Sequence, residues 1–223
     1  MLEIVKNPKK TKTVKELGAV DISLIQEDIL NLSQEYWDKY DCLKPNGFDV
    51  FNRTTQHIIF KFVTDYSKPF PDLVEYPIWE EWKNKLEPIM RAIVEPYGYL
   101  ENTIGKVILA KLIPGGRIGA HIDNVVESIY PLKLHVPIAT NPHVKMFVGD
   151  RSYHFQVGRA YEMNNMALHS VTNDGDSPRI HLIFTYYDRQ VNVAKDRDPE
   201  LITAHLREQV KRDEGVFDPL LLS

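Results

Sequence analysis

Residues 105–123 read GKVILAKLIPGGRIGAHID. A β-type apolar run is stopped by Pro114-Gly115-Gly116, and a second short run ends in a histidine and an aspartate separated by one isoleucine. On a strand, side chains at i and i+2 share a face, so His121 and Asp123 would aim an imidazole and a carboxylate at one point; on a helix they would diverge. Whether this stretch is strand, turn, strand therefore decides both the fold and the site.

The text beyond it has the same texture. PLKLHVPIA (131–139), HVKMFVGD (143–150), SYHFQVG (152–158), RAYEMN (159–164), ALHSVTN (167–173) and RIHLIFTYY (179–187) are short runs bounded by Gly, Pro, Asn and Asp. Many short strands with turns at such spacing predict a sandwich or barrel, and Gly149-Asp150 is a hairpin candidate. Upstream, Ile22, Ile25, Ile29, Leu32, Tyr36 and Tyr40 predict a helix over 21–40 with Asp21 as N-cap. Trp79, Trp82, Leu86, Ile89, Ile93 and Tyr97 predict a second over 77–97, closed by Gly98, with Pro88 and Pro96 as possible kinks. Between them TTQHIIFKFV (54–63) reads as a strand, and a polar helix is expected over 198–212.

The expected fold is therefore mainly β with flanking α-helices, a double-stranded β-helix or cupin-like jelly roll. One domain would span 1–223: a helical part with at least one strand over 1–100, the jelly-roll core and site over 101–190, and a C-terminal helix and tail over 191–223.

Bulk properties narrow the chemistry. The net charge of -4 offers no global basic field for nucleic acid, and the single cysteine, Cys42, excludes an internal disulfide or a multi-thiolate metal site. The charged N-terminus lacks a signal-peptide core, and nowhere do about 18 apolar residues run together, so a cytoplasmic protein without membrane spans is expected.

Six of the eight histidines lie in the β region. Only His121 precedes a carboxylate by two residues on an expected strand. A third ligand from a distant strand, with His169 of MALHSVTN as candidate, would complete a two-histidine, one-carboxylate facial triad suited to non-heme Fe(II). Ten residues on stands Arg179. A cosubstrate such as 2-oxoglutarate would chelate the metal through its keto and adjacent carboxylate oxygens, and its far carboxylate would need a cation; the planar guanidinium fits it bidentately. The competing reading is a turn-forming aspartate, satisfied imidazoles and a surface arginine. His181 shares the expected face of Arg179, and packing explains it equally well. His57, His143 and His154 read as structural.

The order HxD, then His, then Arg, together with PGGRIGAHID, PLKLHVPIA and MNNMALHSVTNDGDSPRIHLIF, resembles the aspartyl/asparaginyl β-hydroxylases, a family that includes free-proline hydroxylases. The resemblance covers about residues 103–188. It implies a double-stranded β-helix with His121, Asp123 and His169 as catalytic iron ligands and Arg179 on the distal carboxylate of 2-oxoglutarate. It also implies that Lys133 and His135 assist cosubstrate binding; alternation places them with Pro137 on one face, opposite Leu134, Val136 and Ile138. Lys133 stands where some members carry arginine. The retained Asp123 argues against halogenation, which needs that coordination position. The expected reaction is hydroxylation of a C–H bond in an amino acid, or in an Asp/Asn-type residue of a peptide, with release of succinate and carbon dioxide. Arg117, Asn164 and Asn165 flank the ligands as candidate substrate contacts, and loop polarity explains them equally well. The rivals are a cupin-like metal protein or isomerase that does not use 2-oxoglutarate, and a nucleic-acid demethylase.

Overall fold

The structure is a computed structural model that describes residues 10–43, 54–123 and 125–190. In chain order it contains β1 (Val14–Ala19), α1 (Ser23–Leu30), α2 (Gln34–Asp41), β2 (Thr55–Val63), β3 (Leu73–Glu75) and α3 (Trp79–Val94). Then follow β4 (Asn102–Leu112), β5 (Arg117–His121), β6 (Leu132–Ala139), β7 (Val144–Val148), β8 (Arg151–Tyr153), β9 (Arg159–Met163), β10 (His169–Asn173) and β11 (Arg179–Asp188). The strands form a seven-stranded sheet, β1-β9-β6-β11-β4-β2-β3, and a four-stranded sheet, β5-β10-β7-β8. From β4 onward the chain passes back and forth between them, which is the double-stranded β-helix the sequence predicts.

Alternation along the strands sorts most of their side chains into two cores, with a smaller cluster of Ile59, Phe62, Val63 and Ile108 beside them. Leu134, Val136, Ile138, Leu182 and Phe184 of the large sheet pack against Ile25, Ile29, Trp37, Trp82 and Leu86 of the helices. On the other face, Leu112, Tyr161 and Met163 meet Val144, Met146, Val148 and Val171 of the small sheet. Lys133 and His135 fall on this inter-sheet face of β6, as period-2 reading requires.

The helix expected over 21–40 is two helices. The chain breaks at Asn31-Leu32-Ser33, where the Ser33 hydroxyl accepts the Tyr36 N–H at 3.2 Å and starts α2. A serine's competing backbone hydrogen bond favours a cap over continuation. Asp21 does not cap α1; its carboxylate accepts the N–H of Ser23 at 2.9 Å, and Ile22 holds the cap position. Ser33→Ala is expected to destabilise the protein by about 1 kcal/mol, read as a lower denaturant midpoint.

The second expected helix is shorter than 77–97. It runs over Trp79–Val94 and passes Pro88, then tightens into a 3-10 turn at Glu95–Tyr97 that Gly98 closes at φ 65. Gly149, at φ 60, makes the β7–β8 hairpin turn. β8, Arg151–Tyr153, takes in only the first two residues of SYHFQVG, and β1 and β3 extend the large sheet beyond what the sequence suggested. The helix expected over 198–212 lies outside the described residues. Among the described residues no helix is long and apolar enough to cross a membrane.

Candidate active site

His121 ends β5 and His169 opens β10, and the two are Cα partners across the small sheet. Between Ile118 and His121 the ladder carries a bulge, one residue more on β5 than on β10. A bulge re-aims the side chain that follows it. The two rings consequently stand with centroids 4.2 Å apart. Asp123 is not on the strand, contrary to the simple i, i+2 picture: it lies two residues past the end of β5, held by a backbone hydrogen bond from its N–H to the Asn165 carbonyl at 3.0 Å. Its Oδ1 is 3.8 Å from His121 Nε2 and 3.9 Å from His169 Nε2. The three ligand atoms lie within 4.8 Å of one another.

Local hydrogen bonds prepare these groups for a metal. His121 Nδ1 is 2.8 Å from the Gly119 carbonyl and His169 Nδ1 is 2.9 Å from the Ala167 carbonyl. A carbonyl only accepts, so each Nδ1 carries the hydrogen and each Nε2 turns its lone pair toward Asp123. Burial keeps both imidazoles neutral, lowering His169 to about 4 and His121 below its ordinary value. Burial also opposes ionisation of Asp123, but Lys133, His169 and Lys106 outweigh it and hold the carboxyl well below the usual carboxylate range. One anionic oxygen donor and two neutral nitrogens on adjoining elements suit a divalent ion such as Fe(II).

Lys133 Nζ donates to Asp123 Oδ2 at 2.7 Å. His135, two residues along the same face of β6, leads away from the triad toward Arg179, the first residue of β11. Arg179 is 2% exposed. Its Nη2 donates to His181 Nδ1 at 2.7 Å, and His135 Nδ1 lies 3.4 Å from that same atom. Burial lowers the guanidinium to about 9 and holds His135 and His181 neutral, well below their ordinary values. Among the described residues no carboxylate pairs with Arg179. Arg179 Nε, His135 Nε2 and His181 Nε2 are buried without a hydrogen-bond partner there. Orphaned buried polar groups are uncommon, and an ordered water, an ion or a ligand can complete them. Lys133 and His135 lie on the same face of β6, between the triad and the buried guanidinium of Arg179.

A second buried network, missed by sequence reasoning, supports the loop that carries Asp123. Glu127, fully buried, accepts from Lys106 Nζ at 2.8 Å and from the Tyr187 hydroxyl at 2.7 Å. Two signals were available: Glu127 is a lone acid in VVESIY, and Lys106 shares its β4 face with Ile108 and Ala110. Lys10 donates to the Ser128 carbonyl at 2.9 Å and to Asn165 Oδ1.

The three candidate substrate contacts have other partners. Arg117 forms an exposed ion pair with Asp174 at 3.1 Å, of the kind worth little. Asn164 uses its amide on Met166 N–H and the Lys12 carbonyl. Asn165 is buried, with its amide engaged by Lys10 and the Ser128 carbonyl.

The family model for aspartyl/asparaginyl beta-hydroxylase matches residues 71–189, a span that contains His121, Asp123, Lys133, His135, His169 and Arg179. No curated protein matches the sequence at a significant level. Among solved structures, an oxidoreductase of the 2OG-Fe(II) oxygenase family from Burkholderia pseudomallei is 13% identical, covers 76% of this chain and 91% of its own, and superposes with a TM-score of 0.50. A prolyl hydroxylase from Trichoplax adhaerens, solved with a peptide fragment of the hypoxia inducible factor oxygen degradation domain, is 12% identical, covers 84% and 89%, and gives 0.56. At these identities the likeness is one of fold. With the family model covering more than half of the sequence, the chain belongs to the aspartyl/asparaginyl β-hydroxylase family and is a 2-oxoglutarate- and Fe(II)-dependent hydroxylase.

Proposed function

We propose that this enzyme hydroxylates a C–H bond of a free amino acid or of an Asp/Asn-type residue in a peptide. In this reading His121, Asp123 and His169 hold the metal, while Lys133, His135 and Arg179 hold 2-oxoglutarate. The observation that carries it is the buried Arg179, charged at neutral pH and without a carboxylate among the described residues, placed on the same inter-sheet face as the route to the triad. A cupin-like isomerase that does not use 2-oxoglutarate has no use for such a cation.

Bound Fe(II) and 2-oxoglutarate supply oxidative decarboxylation to succinate and carbon dioxide, coupled to insertion of one oxygen atom of dioxygen into the substrate. The chain supplies the rest. Arg179 neutralises the distal carboxylate of the cosubstrate. Lys133 fixes Asp123 and adds positive charge at the metal end, where it would favour the other carboxylate. Phe155 and Tyr161, stacked with ring centroids 4.2 Å apart, pack beside His135 and His181.

The substrate class is open to a direct assay. Free amino acids and short Asp- or Asn-containing peptides are offered with Fe(II) and 2-oxoglutarate, scoring succinate and a product mass gain of one oxygen. One class is expected to give the two in equal amounts, dependent on Fe(II). Succinate that never couples to an oxygenated amino acid or peptide would remove this substrate assignment, and coupling only with methylated nucleic acid would favour the demethylase reading despite the net charge of -4.

A further inference from the structure

We infer that His181 is a positioning residue for the cosubstrate: its imidazole Nδ1 accepts a hydrogen bond from Arg179 Nη2 and holds the guanidinium in place without cancelling its charge. The inference rests on the reading above that Arg179 receives the distal carboxylate of 2-oxoglutarate.

A guanidinium has only donors, so the 2.7 Å contact makes His181 Nδ1 the acceptor and leaves the ring hydrogen on Nε2. The i, i+2 spacing puts both side chains on the inner face of β11, whereas Ile180 between them packs into the core beneath the helices. The ring itself is fixed. It stacks on Phe155 at 6.0 Å with an interplanar angle of 13°, and Phe155 stacks in turn on Tyr161. His181 is 1% exposed, so no water competes for Nδ1.

The choice of partner matters because Arg179 has a long, rotamer-rich side chain and a charge to be spent on a ligand. A carboxylate at position 181 would hold the guanidinium as firmly but would neutralise it, removing the reason for an anion to enter. An aliphatic side chain would leave the charge intact and the fork unoriented. A buried neutral imidazole orients the fork and leaves its charge intact, and His135 Nδ1 lies 3.4 Å from the same nitrogen. Removing a neutral acceptor from a charged donor is expected to weaken the oriented interaction roughly tenfold to hundredfold.

The test is calorimetric titration of 2-oxoglutarate into the anaerobic Mn(II)-loaded protein and its variants. His181→Phe keeps the stack on Phe155 but removes the acceptor, and should weaken binding roughly tenfold to hundredfold. His181→Asn places its amide oxygen where the imidazole has Nδ1, and should recover most of the affinity. His181→Gln, whose oxygen falls nearer the Nε2 position, should not; His181→Asp should bind as poorly as Arg179→Met. In turnover assays, His181→Phe should raise KM for 2-oxoglutarate by a larger factor than it lowers kcat. If Arg179→Met keeps wild-type affinity, the cosubstrate site itself is misassigned. If Arg179→Met loses binding while His181→Phe stays within about twofold of wild type, or Asn performs no better than Phe, the role of His181 is overturned. Imidazole nitrogen NMR of the unaltered protein gives an answer independent of variant folding: hydrogen on Nε2 of His181 supports the assignment, and hydrogen on Nδ1 rules it out.

Discussion

Replacing Arg179 with methionine will remove 2-oxoglutarate binding and raise the melting temperature of the ligand-free protein. Both effects have one origin. The guanidinium is 2% exposed, hydrogen-bonded to a neutral imidazole, and lacks an anionic partner among the described residues, so the ligand-free fold bears its desolvation. Breaking a buried charge pair costs about 3–5 kcal/mol, which corresponds to a loss in affinity of roughly a hundredfold to a few thousandfold. Replacing a buried charge with a packed apolar side chain of similar length is stabilising by about 1–4 kcal/mol in comparable sites. The sign with pH follows. Burial lowers the folded-state value to about 9 from the ordinary guanidinium range, so the penalty is complete below about 9 and lifts as pH rises above it. The stability advantage of the methionine variant should therefore be full at neutral pH and shrink above about 9. Thermal melts and calorimetry check the two halves separately. A variant that is less stable yet still binds would make Arg179 a structural tether.

The second large effect is expected at the triad. His169→Ala should abolish Fe(II)-dependent succinate formation, and His121→Ala should do the same. Loss of a residue that merely supports a ligand typically costs about 10–100-fold in metal affinity or activity, and loss of a ligand should exceed that. The two variants should also fail to add. Once one nitrogen is gone the site no longer holds the ion in place, so the double variant should lose nothing further, as for groups that act as a unit. Anaerobic Mn(II) should raise the melting temperature of the unaltered protein and leave both variants unmoved. If the two imidazoles were structural, the single changes would leave turnover intact and the double would show the sum of two small losses.

How much of this was legible in the sequence depends on how local each feature is. The alternation of Leu132–Ala139 assigned Lys133 and His135 to one face because period 2 is a property of the strand alone. The identity of the triad came from the order of His121, Asp123 and His169 with Arg179 behind them. Other features required the third dimension. Lys133 was read as a cosubstrate contact, and its pairing with Asp123 follows from where β6 meets the loop after β5. The strand β1 sits in charged text, VKELGA, and exists because β9 offers an edge. The break at Asn31-Leu32-Ser33 left the apolar spacing of the helix unbroken, so periodicity could not see it. For Asn165 the sequence leaves substrate contact and loop polarity equally open, since its amide partners, Lys10 and Ser128, are far away along the chain.

With the proposed ligand set, the pairing of His121 with His169 across the small sheet would also make metal loading a gauge of correct assembly. A one-residue slip of β10 against β5 would turn one imidazole to the opposite side of the sheet while leaving most backbone hydrogen bonds countable. A misaligned copy would thus lack the convergent pair of nitrogens, and metal affinity would report the register of the small sheet.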